Sequence, residues 1–142
     1  VDFAAGAVEK TLLEQAIEQD LVIIEGQGSL LHPGSTATLP LIRGSQPTGL
    51  VLVHRAGAKH IRDLPNFLIP PLPEVIQLYE TVASAGGTFG EVKVKAIALN
   101  TLGMNHNQAE AVIKSTAEST GLPCSDVVRY GAASLLPAVY AK

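Results

Sequence analysis

The stretch Leu21-Val22-Ile23-Ile24-Glu25-Gly26-Gln27-Gly28-Ser29-Leu30-Leu31-His32-Pro33 places one carboxylate at the end of an apolar run, and glycines, a serine and a histidine follow. A carboxylate held at the mouth of a buried strand is a hard oxygen ligand. It suits a magnesium ion, or the water bound to one, beside substrate phosphates. Glu25 is therefore a candidate magnesium ligand and a candidate catalytic acid or base. Gly26 and Gly28 let a ligand approach the backbone with no Cβ in the way. Gln27 and Ser29 add donors and acceptors in the same loop, which makes residues 26–29 a candidate cofactor-binding segment, and His32 is a candidate catalytic group. The competing explanation is plain: the acid ends a strand and the glycines make a turn.

A second cluster, His54-Arg55-Ala56-Gly57-Ala58-Lys59-His60 with Arg62 beyond it, gathers cations after another apolar run. His54 and His60 are candidate acid–base groups. Arg55 and Arg62 are candidates for holding an anionic substrate, a carboxylate or a phosphate. A solvated positive loop explains the same composition. A zinc site built from His32, His54 and His60 is disfavoured, because none has a cysteine companion and the spacing is not that of a helical metal pair. Asn100-Thr101 closes a third apolar run. The Asn100 carboxamide donates and accepts in one plane, which suits the edge of a nucleotide base, and an Asx-turn is the alternative.

Missing motifs narrow the field. The chain has no G-x-x-x-x-G-K-[ST], no G-x-G-x-x-G and no G-x-S-x-G. Cys124 has no neighbour in sequence that marks it as an activated nucleophile.

The elements that must position these groups follow from hydrophobic periodicity. Apolar residues at three- and four-residue steps predict a helix over 4–19. The run 21–25 predicts a strand covered on both faces, and 38–42 one or two helical turns. A second buried strand is expected at 49–54. A loop through Pro65 and Pro70 then leads to a helix over 72–84, stopped by Gly86-Gly87. A third strand is expected at 92–99 and a helix over 108–120, with Asn107 as its cap and Glu110 three residues on. A short strand near 126–129 and a last helix from Ala132 complete the pass. Alternating strands and helices with crossover-length connections predict an α/β fold with a mainly parallel sheet flanked by helices. Its functional residues belong in the loops after the strands' carboxyl ends.

Composition bounds the partners. The 142 residues amount to one domain, and 46% are hydrophobic, enough for a core. A net charge of −3 with no basic stripe argues against nucleic acid. The apolar runs are strand-sized, so no membrane partner is expected, and no signal peptide is evident. One cysteine excludes an internal disulfide and fits a reducing cytoplasm. The chain opens on Val1 rather than Met, which reads as part of a longer protein.

Taken together, "DFAAGAVE", "IIEGQGSLLHP", "LPLIRGSQPTGLVLVHRAGAKHIR", "IPPLPEVIQLYE" and "IALNT" resemble the carboxyl-terminal domain of a bacterial and archaeal family long described as of unknown function. Its full-length members join a Rossmann-like domain to a P-loop NTPase-like domain, and characterised relatives include D-glutamate N-acetyltransferases. The layout is also similar to dethiobiotin synthetase, where a strand ends in Glu-Gly-x-Gly and the acid helps bind magnesium. The resemblance implies that Glu25, Gly26 and Gly28 face the phosphates of a nucleotide or coenzyme A, and that Asn100 reads a base. It places the P-loop strand and helix upstream of Val1, outside these residues.

The implied activity is N-acylation of D-glutamate or a related amino acid, with acetyl-CoA as co-substrate. A homo-oligomer is the expected state of the full-length protein. The alternatives are an ATP- and magnesium-dependent ligase or kinase-like enzyme and an inactive fragment.

Overall fold

A computed structural model describes residues 3–26 and 28–141. Three strands, β1 (Leu50–Arg55), β4 (Val94–Asn100) and β5 (Cys124–Ser125), form one sheet in the order β1-β4-β5, with both pairings parallel. A separate antiparallel pair, β2 (His60–Ile61) and β3 (Leu64–Leu68), stands between β1 and the next helix. The helices are α1 (Ala4–Gln15), α2 (Thr38–Ser45), α3 (Leu72–Ala83), α4 (His106–Thr120), α5 (Val127–Tyr130) and α6 (Leu136–Tyr140). The α/β fold with a parallel sheet is as the sequence predicts.

Strand β4 is central because its residues tolerate burial on both faces. Ile97 and Leu99 turn toward α3 and α4, where they pack with Leu52, Val75 and Val94, and with Val112 and Ile113 at the margin. Complete burial of Ile97 contributes about 2–3 kcal/mol. The opposite face carries Ala96 and Ala98, whose small side chains let Leu135 and Val127 come close. The entry to β4 is pinned to the end of α3: the amide of Val94 donates to Glu80 Oε1 at 2.9 Å and that of Val92 to Ser84 Oγ at 3.0 Å.

Helices α1 and α2 cross at Gly44. A methyl group there would lie 2.2 Å from the Ala5 carbonyl oxygen and 2.8 Å from Val8 Cβ. Gly44→Ala should therefore force the two helices apart and lower stability by about 1–3 kcal/mol, measurable by urea denaturation.

The structure corrects several expectations. Residues 21–26 form no strand. A doubly covered parallel strand needs ladder partners, and β1 pairs only with β4 among the described residues. The apolar run instead borders an open groove of about 610 Å³ against α1, and Ile23 is 82% exposed. Strand β1 is not fully buried either. Leu52 faces the core, but Val51 and Val53 are 44% and 74% exposed on the other face, which no helix among the described residues covers.

The expected loop after β1 contains the β2–β3 hairpin, whose alternation is masked by Pro65 and exposed apolar residues. Helix α1 ends at Gln15, short of residue 19. Helix α4 starts two residues earlier than expected and is capped by Asn105 rather than Asn107. Asn105 Oδ1 accepts the Gln108 amide at 2.9 Å, and Gln108 Oε1 accepts the Asn105 amide at 3.0 Å. Residues 127–130 are helical, and the short strand lies just before them at Cys124–Ser125. The last helix begins at Leu136, not Ala132.

Candidate active site at the carboxyl ends of the sheet

The carboxyl ends of β1 and β4 bring Arg55 and Asn100 side by side, as register partners. The Ala56 amide donates to the Asn100 carbonyl at 3.0 Å, so the loop carrying Arg55, Lys59 and His60 is tied to the end of β4. Asn100 Oδ1 accepts the Leu102 amide at 2.9 Å. This is the Asx-turn alternative, and it leaves the Asn100 NH2 as the outward hydrogen-bonding group. His54 lies one residue before Arg55, opposite Leu99 in the register, and is half-buried. Burial pushes its imidazole below the ordinary histidine value, so the ring is neutral at neutral pH.

The loop after Glu25 is fastened to itself and to α3. Gly28 has φ +92, and a Cβ there would meet Ser35 Oγ at 2.5 Å, so glycine is required on two counts. The Ser29 amide donates to Ser35 Oγ at 3.1 Å, the Leu30 amide to the Tyr79 hydroxyl at 3.0 Å and the Leu31 amide to Ser29 Oγ at 3.1 Å. Leu31 packs on the core cluster that includes Val75 of α3, and Leu30 on the one that includes Ala83. These amides are engaged within the protein and are not an open phosphate cradle. Ser29 Oγ accepts from Leu31, which leaves the serine hydrogen as a donor toward a ligand.

His32 Nδ1 accepts the Gly34 amide at 3.0 Å. Its neutral form therefore carries the proton on Nε2 and has no free lone pair to act as a base. Glu25 is exposed, and no hydrogen bond or ion pair among the described residues joins it to a histidine or a cation. Gln27 lies outside the described residues. His60 is exposed on β2, and Arg62 forms a solvent-exposed pair with Asp63 at 3.5 Å, worth little in stability. The structure thus brings together Arg55 and Asn100; His54, one residue earlier on β1, falls by strand alternation on the opposite face, with Leu52 and Leu99. It does not join Glu25, His32, His60 or Arg62 to them by any described contact.

Magnesium is implied for Glu25 by resemblance. Among the described residues no group of three His, Cys, Asp or Glu could hold a metal, so protein ligands alone form no cage. Magnesium at Glu25 would need phosphate oxygens and water to complete its shell. Cys124 is half-buried, and burial pushes its thiol up to about 11, which makes it inert at neutral pH.

Sequence reasoning missed a buried polar network beneath Asn100. Thr101 is 0% and Asp126 3% exposed. The Thr101 amide donates to Asp126 Oδ2 at 2.9 Å, and the Thr101 hydroxyl makes a shorter bond to the same oxygen. Asp126 Oδ1 caps α5, accepting the amides of Val128 at 3.0 Å and Arg129 at 3.1 Å. The available signal was an aspartate immediately before a short helical stretch, an N-cap pattern that the Val127-Val128 pair disguises as a strand.

No helix among the described residues is long and apolar enough to cross a membrane. The chain matches, over residues 1–136, the family described as "Domain of unknown function (DUF1611_C) P-loop domain". It is 36% identical over 136 residues to a D-glutamate N-acetyltransferase from Pseudoalteromonas sp., covering 95% of this chain and 40% of that protein. It is 34% identical over 141 residues to a D-glutamate N-acetyltransferase from Tritonibacter scottomollicae, covering 99% of this chain and 41% of that protein. A crystal structure of a DUF1611 family protein from Anabaena variabilis superposes with a TM-score of 0.96 at 64% identity, covering 98% of this chain and 40% of that one. The chain spans about two fifths of the length of these relatives, and it belongs to the DUF1611 family through that family's P-loop domain.

Proposed function

We propose that the chain is part of a cytoplasmic N-acetyltransferase that transfers the acetyl group of acetyl-CoA to D-glutamate or a closely related amino acid. The observation that carries this reading is identity of 34–36% to two proteins named for that activity, across 95–99% of the chain. Such a role belongs to D-amino-acid catabolism. The amine nitrogen attacks the thioester carbonyl carbon, the C–S bond breaks, coenzyme A leaves as the thiol, and a base takes the ammonium proton.

His54 is the histidine best suited to that base, because burial keeps it neutral whereas His32 has its free nitrogen protonated. Arg55 supplies charge for a substrate carboxylate. The outward NH2 of Asn100 offers a donor to an acceptor atom on the nucleotide part of the donor. The Ser29 hydroxyl, fixed by Leu31 and approached by Tyr79, offers a donor to the thioester oxyanion. Glu25 lies in the loop that would approach the phosphates.

The exposed β1 edge and the unpaired run 21–26 are consistent with a further parallel strand between them, contributed by another part of the full-length protein. That part would carry the phosphate-binding loop and the Rossmann-like domain.

In the full-length protein, Glu25→Gln should lower kcat/KM for acetyl-CoA by at least about tenfold if that carboxylate serves the donor's phosphates, directly or through magnesium. A wild-type kcat/KM in Glu25→Gln would remove Glu25 from the site. The P-loop description of the family favours a second reading, an ATP-dependent ligase, in which acceptor-dependent release of phosphate replaces release of thiol.

A further inference from the structure

We propose that Asp126 and Arg129 are positioning residues that fix the turn 101–106, and through it set how Asn100 and the Arg55 loop meet the ligand. The inference rests on the reading in which Asn100 contacts the nucleotide part of a donor.

The Asp126 carboxylate brackets two segments. Oδ2 takes both donors of Thr101 at the exit of β4, and Oδ1 takes two amides at the start of α5. Arg129 closes the bracket. Its Nε donates to Thr101 Oγ1 at 2.7 Å and one Nη to the Thr101 carbonyl at 3.2 Å, and the same nitrogen donates to the Met104 carbonyl. The guanidinium fork is thus directed at this loop's own oxygens. The far end is tied by the Tyr130 hydroxyl, 3.2 Å from His106 Nδ1.

The turn so held follows directly on Asn100 at the end of β4. It contains Leu102, whose amide orients the Asn100 carboxamide. It contains Met104, whose terminal methyl is placed so that a Cβ at Gly57, a glycine with φ +77 in the loop after Arg55, would lie 3.6 Å from it. The Ala56 amide bonds the Asn100 carbonyl from the same loop. Asp126 and Arg129 therefore reach both loops through the hydrogen-bonded turn.

Packing alone does not account for the arrangement. Helix α5 is four residues long; Val127 packs on Ala96 and Ala98 of β4, but Val128 is 92% exposed. A buried carboxylate and its hydrogen-bonded partners are costly to desolvate, and an apolar cluster would serve a purely structural need as well. A fully satisfied polar network specifies one geometry, which a binding turn requires.

The test is a double-mutant cycle in the full-length protein, with coenzyme A as the probe by calorimetry and steady-state kinetics with acetyl-CoA. Asn100→Ala and Asp126→Asn should each weaken coenzyme A binding about tenfold, and the double variant should bind no worse than either, because Asp126 acts through Asn100. KM should rise while kcat stays within about twofold. If Asp126→Asn does not fold, Thr101→Val removes a single hydroxyl from the network and should reproduce the KM effect at about threefold or more. A folded Asp126→Asn (or, in its place, Thr101→Val) that binds like wild type, or singles that multiply to about a hundredfold in the double, overturns the positioning role. A wild-type protein that does not bind coenzyme A overturns the acyltransferase reading itself, and this inference with it.

Discussion

Asp126→Ala should lower the unfolding free energy of the protein by about 3 kcal/mol, read as a shift in the urea midpoint at unchanged slope. The substitution removes the acceptor for the buried amide and hydroxyl of Thr101, uncaps α5 and leaves Arg129 facing carbonyls with no counter-charge. Each orphaned donor carries its own desolvation penalty, so the loss exceeds that of an ordinary cap.

The effect is pH-dependent. Burial alone raises the Asp126 carboxyl, but hydrogen bonds from the Thr101 hydroxyl and amide and from the Arg129 and Val128 amides outweigh it and hold the group below its ordinary value. A folded value below the unfolded one, near pH ~3.9, contributes stability that is fully present above that pH and lost as pH falls through the folded value. The variant should therefore show a flatter acid limb than wild type. An Asp126→Ala protein as stable as wild type between pH 5 and 7 would contradict the network's role.

His54→Ala should reduce kcat for acetyl transfer by about 10²–10⁴-fold if His54 is the general base, with a smaller change in KM. The imidazole is half-buried near the end of β1, and burial lowers its proton affinity. The neutral, active form should accordingly persist below pH ~6.5, and the acid limb of the kcat/KM profile should fall at lower pH than a free histidine would give. The same shift acts on folding. Between the folded and unfolded values the unfolded chain binds more protons, so this contribution is complete above about pH 6.5 and declines as pH falls below it. A His54→Ala variant with a wild-type rate and an unmoved acid limb would pass the base to another group.

The parallel α/β core was legible because its signals are local: continuous apolar runs for β1 and β4, and amphipathic helices with clear stops for α3 and α4. The stretch 21–25 carries the same signal yet forms no strand, since a ladder depends on neighbours that periodicity does not contain. The β2–β3 hairpin was hidden by exposed Phe67 and Leu68, which break the alternation expected of a half-buried strand.

At the site, residue type and position after a strand were enough to nominate His54, Arg55 and Asn100. The same reasoning could not foresee that the amides at 29–31 would be engaged by Ser35, Tyr79 and Ser29 itself. Nor could it see Asp126 and Arg129 beneath Asn100, because 25 residues separate Thr101 from Asp126 along the chain.

The most direct test of the account is to mix the full-length protein with acetyl-CoA and D-glutamate and to follow free thiol and inorganic phosphate together. The expected result is thiol release that requires D-glutamate, with N-acetyl-D-glutamate as the product and no phosphate. Phosphate release from ATP that depends on an acceptor, with no thiol formed from acetyl-CoA, would contradict it.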